Sequence, residues 1–167
     1  LWALQPIRSQ AVPEVKNVRW PNGDIDRYIL AGLEKKDLSP QTKADPHTLL
    51  RRVTFDLTGL PPTCDDVKKF RADKRPSRTK RNEVIAKLIG NEDFVDHWAN
   101  KWADLLQVNR KFLGAEGAKL FRNWIRAEVK GNTPYDQFVS KIITAKGSNK
   151  INPPASYYKI LRTPQDR

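Results

Sequence analysis

The stretch "TFDLTGLPPT", residues 54–63, decides how this chain folds, because it closes one helical pattern and opens another. Upstream, Leu49, Leu50, Val53 and Leu57 recur at helical spacing, while Arg51 and Arg52 fall on the other side. Gly59 stands where a helix C-terminus favours positive φ, and Pro61 and Pro62 lack the N–H that continuation needs. Thr63 and Asp66 then form a capping pair for a helix carrying Val67 and Phe70. A stop followed at once by a start is a corner between two packed helices. The stretch therefore reads as a turn of the backbone and not as a catalytic loop.

The same punctuation recurs on both sides. Asp24 precedes Ile25, Ile29 and Leu33, spaced i, i+4, i+8, which predicts one apolar stripe. Asp45 caps the helix that runs into the corner, with Pro46 at its first position. Further on, a helix beginning near Ser77 carries Val84, Ile85, Leu88 and Ile89 and ends at Gly90. Asn91 caps the next, with Phe94, Trp98, Trp102 and Leu105 or Leu106 expected on its buried face. "LGAEGA" interrupts the pattern before a stripe of Leu120, Phe121, Trp124, Ile125 and Val129 that stops at Gly131. Thr133, Pro134 and Asp136 repeat the cap, proline and acid order ahead of Phe138, Val139, Ile142 and Ile143. A last short helix, "ASYYKILR", is expected to expose an apolar patch.

No strand-like alternation, internal repeat or glycine-rich phosphate loop interrupts this series. The chain is all-α, a compact domain of about six or seven helices. Residues 1–23 hold three prolines without a sustained period and read as an extended arm, pinned by Trp2 and Trp20. Residues 24–167 form the helical domain. The chain begins at Leu1 and contains no methionine, so a longer parent polypeptide, truncated here at its C-terminal side, is expected.

At 167 residues, with five tryptophans and six phenylalanines, the chain has the apolar bulk for a real core and is not a disordered tail. No apolar run approaches the roughly 20 residues needed to span a bilayer. The formal charge of +12 attracts polyanions without specifying one. Its densest source is residues 68–81, where Lys68, Lys69, Arg71, Lys74, Arg75, Arg78, Lys80 and Arg81 face a single carboxylate, Asp73. Such a run can follow a sulfated polysaccharide or a nucleic-acid backbone by releasing counterions. Its one aromatic, Phe70, belongs to the core pattern, so base stacking has no platform and an ordinary solvated surface is the plainer reading.

Other chemistry is sparse. His47 and His97 are the only histidines, and no His/Cys/Asp/Glu cluster has metal-ligand spacing. Asp26, Asp56, Asp96 and Asp104 lie nearest to apolar faces and are the carboxylates from which a glycan-active enzyme would draw its acid and base. Asp26 and Asp56 are expected instead to pair with Arg27, Arg51 or Arg52. Cys64, at a helix N-terminus, makes a weak nucleophile candidate with no histidine close in sequence. Trp98, Trp102 and Trp124 could together form a sugar-stacking platform, although their helical spacing fits core packing better.

Several stretches occurring in order, among them "IDRYILAGLEKKDLSP", "ADPHTLLRRVTFDLTGLPPT", "HWANKWADLLQVNRKFLG" and "FRNWIRAEVKGNTPYDQFV", resemble the planctomycete cytochrome-associated domain of unknown function, number fifteen-forty-nine in its series. The signature is carried by Arg51, Arg52, Asp56, Gly59, Pro61 and Pro62. The resemblance covers nearly the whole chain and implies a large exported protein, periplasmic or at the cell surface. It also implies a c-type cytochrome domain upstream and a second uncharacterised domain downstream. Neighbouring domains of the same polypeptide are thus the expected partners, with anionic polysaccharide favoured over nucleic acid. Family members continue into a C-x-x-C-H segment that this chain does not include, so haem is expected in neighbouring domains and no cofactor in this one. The reading that follows is a non-catalytic structural or interaction module.

Overall fold

The computed structural model describes residues 5, 6 and 8–161; Trp2 lies outside them, as does Arg162. Among the described residues there are eight α-helices and no strand. They divide between two compact units, Leu1–Ala44 and Asp45–Arg167.

The first unit holds the arm and α1 (Asp24–Glu34). The arm is irregular and is fastened by Glu34, whose carboxylate accepts the backbone N–H of Lys16 (3.1 and 3.0 Å) and of Asn17 (3.1 Å). The Tyr28 hydroxyl donates to the carbonyl of Ala11 (2.9 Å). The expected stripe of α1 is not its buried one. Leu30 is the buried residue, whereas Ile25 is 79% and Ile29 55% exposed. Spacing locates an apolar stripe but not the side from which neighbours cover it.

The second unit contains α2 (Pro46–Thr58), α3 (Cys64–Ala72), α4 (Ser77–Leu88), α5 (Glu92–Leu105), α6 (Arg110–Lys130), α7 (Tyr135–Ile143), a 3₁₀ turn (Pro153–Ala155) and α8 (Ser156–Ile160). Its helix starts follow the sequence signals closely. Asp45 accepts the N–H of His47 (2.9 Å) and of Thr48 (3.0 Å). Thr63 accepts that of Asp66 (3.1 Å), and Asn91 that of Phe94 (2.7 Å). Each such cap is worth about 1 kcal/mol against alanine. The start of α7 departs from expectation, because Thr133 gives its hydroxyl to Glu128 (2.6 Å) and makes no side-chain cap there.

The core lies where α5, α6 and α8 meet. Ala99, Ala103, Leu113, Phe121, Ile125 and Ile160 form it, with Phe121 and Ile125 wholly enclosed. Full burial of residues this size contributes about 1.5–3 kcal/mol each. The buried face of α5 is Val95, Ala99 and Ala103, and not the aromatic stripe; Leu105 is 72% exposed. Small residues allow α5 and α6 to approach closely, which displaces the bulkier Trp98 and Trp102 to the flank. The interruption expected at "LGAEGA" is a kink inside α6, where Gly114 adopts φ 71° and ψ 171°. At the end of the described chain Ser156 and Ile160 are buried and Tyr158 donates to the carbonyl of Ile143 (2.6 Å), so the apolar patch expected there is covered.

Candidate functional site

The corner at residues 54–63 is built from satisfied groups. The buried Thr54 and Thr58 hydroxyls donate to the carbonyls of Leu50 (2.9 Å) and Thr54 (2.8 Å). Gly59 has φ 70°, and a Cβ built there would collide with the imidazole of His97. That contact explains both residues: glycine supplies the left-handed turn, and its missing side chain admits the histidine of α5. Asp56 points to solvent without an ion-pair partner, contrary to expectation, while Arg51 lies 5.0 Å from the centroid of the Phe55 ring. Asp26 likewise has no arginine partner; it accepts the backbone N–H of Asn22 (2.8 Å).

Beside the corner lies a cavity of about 420 Å³ between α2, α3 and α4, which Thr58, Pro61, Pro62 and Thr63 help to line. Its charges answer one another. Arg75 holds Asp73 (2.7 Å) and Glu83 (2.5 Å) together, and Asp66 bonds to the Thr63 hydroxyl (2.5 Å) with Lys87 at 3.8 Å. The hydrogen bonds from Arg75 lower the Asp73 carboxyl to about 2 and also lower Glu83; the Thr63 hydroxyl, chiefly, lowers Asp66. These carboxylates are locked ionised.

The basic run divides into two groups. Lys80 turns inward, donating to the carbonyls of Phe70 (3.1 Å) and Asp73 (3.0 Å) and so closing the end of α3; its ammonium sits 4.5 Å from the Phe70 ring centroid. Arg75 is committed as described, and Lys68 lies 3.8 Å from Asp65. Lys69 faces the cavity. Arg71, Lys74, Arg78 and Arg81 have no side-chain partner. Half of the eight cations are therefore available to a ligand.

The remaining candidates are brought together only in part. His47 and Cys64 line one surface hollow of about 400 Å³ with Arg51 and Lys68, a proximity invisible in the sequence, but no hydrogen bond joins them. Asp96 is bound by Arg126 (2.6 Å), which also donates to Glu92. Asp26, Asp56, Asp96 and Asp104 sit on α1, α2 and α5, and none lines the charged cavity or the hollow beside His47. Among the described residues no three His, Cys, Asp or Glu side chains are grouped to hold a metal ion, and no helix is long and apolar enough to cross a membrane.

The three tryptophans part company. Trp124 is stacked between Phe121 (5.8 Å between centroids) and Phe138 (5.2 Å) beside the core. Trp98 and Trp102, displaced to the flank of α5, line a pocket of about 210 Å³ with Phe94, the end of α6, the loop after it, and Tyr135 and Phe138 of α7. Tyr135 stacks on Trp102 with centroids 6.0 Å apart and planes 30° from parallel, yet is 68% exposed. Glu128 on the rim accepts from Lys141 (2.9 and 2.7 Å) and from Thr133. Burial raises its proton affinity, but the bonds from Lys141 and Thr133 outweigh that and hold it lowered. The Trp98 indole N–H is buried without an acceptor, a state that costs about 1–3 kcal/mol.

These features define an all-helical domain with a proline corner and, among its concavities, one charged cavity and one aromatic pocket. The chain belongs to the PSCyt2 family, described as a protein of unknown function (DUF1549), whose family model matches residues 24–165. No curated protein and no solved structure matches it.

Proposed function

We propose that this chain is a non-catalytic interaction module of a larger exported, cytochrome c-associated protein, and that it docks a neighbouring domain of the same polypeptide. The observation that carries the reading is how its carboxylates are used. Asp45, Asp66, Asp73, Glu83, Glu92 and Glu128 are all lowered in proton affinity, each tied to a cation or a hydrogen-bond donor in the fold. A general acid working near neutrality needs the opposite shift. Among the side chains left exposed are apolar ones on a single helix, Ile25, Tyr28 and Ile29 of α1. A membrane-surface helix carries Lys and Arg on its polar face, whereas α1 has acids in its first turn and no base in its last. Protein is the better occupant.

The test places Ile25→Lys with Ile29→Lys in the full-length protein and, separately, measures capture of the neighbouring domains by this chain in trans. Capture weakened tenfold or more, with an unchanged melting temperature, supports the reading. Equal capture by wild type and variant, or none by either, defeats it.

A second reading has its own support: the four uncommitted cations Arg71, Lys74, Arg78 and Arg81 around the α3–α4 turn. An anionic polysaccharide would bind there with steep salt dependence. Neutralising those four should lower the salt needed to elute the protein from heparin, while leaving Arg75 and Lys80, which hold the fold, intact. Unchanged elution removes this reading.

A further inference from the structure

The aromatic pocket is independent of the docking reading, and its chemistry is more specific. We propose that it binds one ring of a neutral sugar, stacked against Trp102 and Tyr135. Its wall is aromatic, and Tyr135 continues that wall into solvent at 68% exposure, where a folding role would have favoured burial. Residues with hydrogen-bonding side chains share the lining with the aromatic ones: Glu128, Asn132, Thr133 and Tyr135. Asn132 takes φ 47°, the left-handed conformation that asparagine tolerates well just past a helix end. An apolar face edged by hydrogen-bonding groups is the counterpart of a pyranose, which presents C–H bonds on its faces and hydroxyls around its edge.

Charge narrows the class. An organic cation would seek an aromatic cage with a free carboxylate, but both Glu128 oxygens already accept from Lys141. Lys101 also lies 5.7 Å from the Trp98 ring centroid, adding positive potential. An anion finds no lysine or arginine among the lining residues. At about 210 Å³ the pocket is smaller than the roughly 300–1,000 Å³ of drug-sized sites, which suits a single ring or the end of a chain.

The experiment titrates the intact chain with the methyl β-glycosides of glucose, galactose and mannose, reading saturation transfer to the sugar and tryptophan fluorescence. Tetramethylammonium chloride and sodium sulfate are run alongside. At least one glycoside should bind with Kd of about 1–10 mM. Tyr135→Ala should weaken it at least tenfold, and Tyr135→Phe, which keeps the ring, less than threefold, with both variants melting like wild type. The proposal is overturned if no glycoside binds, if Tyr135→Ala leaves binding unchanged, or if tetramethylammonium or sulfate binds more tightly than every sugar.

Discussion

The corner at residues 54–63 and the pocket beside α5 handle their polar groups in opposite ways. At the corner the buried Thr54 and Thr58 hydroxyls have acceptors, and Asp66, Asp73 and Glu83 of the adjoining cavity are fixed by Thr63 or by Arg75. At the pocket the lining Trp98 keeps its buried indole N–H unpaired within the fold, and the Tyr135 ring is left facing water. A region finished internally serves the fold. A region left open to a partner is where binding belongs.

The comparison can be broken first at Gly59. Gly59→Ala combines a disfavoured backbone conformation with a collision against His97, and should cost about 2–4 kcal/mol in urea unfolding. Adding His97→Ala should relieve the collision but not the backbone term, so the double variant should lose less than the two single losses added together. A loss below about 0.5 kcal/mol for Gly59→Ala would mean that the corner does not hold the fold. Next come the caps: Asp45→Ala and Thr63→Ala should each cost about 1 kcal/mol and add independently.

Acid should act more gently. Asp73 and Glu83 bind protons less readily folded than unfolded, so the stability they contribute is complete above the ordinary carboxylate range. It fades as pH falls, for Asp73 through about 2, and Asp73→Asn should flatten that part of a stability–pH curve. The smallest effect on stability belongs to the pocket. Tyr135→Ala should change unfolding by less than about 0.5 kcal/mol, since its ring is mostly exposed. A large loss there would turn the pocket into a second piece of scaffold and end the contrast.

What the sequence made legible follows the range of the forces involved. Caps and stops at Asp45, Gly59, Thr63 and Asn91 are local, set by residues within one turn, and were readable directly. Helix faces were readable only to within one position. On α5 the apolar spacing marked the tryptophans, but the small residues beside them took the interior because close approach to α6 favours low volume. The same rotation separates Leu30 from Ile25 and Ile29 on α1. The pocket was least visible, since Trp98, Glu128 and Tyr135 come from three parts of the chain. Trp98 and Trp102 hinted at it; their separation from Trp124 needed coordinates. Nor could the spacing distinguish Lys80, which reaches a carbonyl ten positions away, from the uncommitted cations around it.

The clasp at Glu34 has a mechanical corollary. One carboxylate gathers the amides of Lys16 and Asn17 across some eighteen positions of chain, and with the buried Val15 beside it and the Tyr28 bond to Ala11 it holds this part of the arm at several points. Replacing Glu34 with glutamine, which keeps an oxygen to accept but surrenders the charge, would loosen the pin without cutting it.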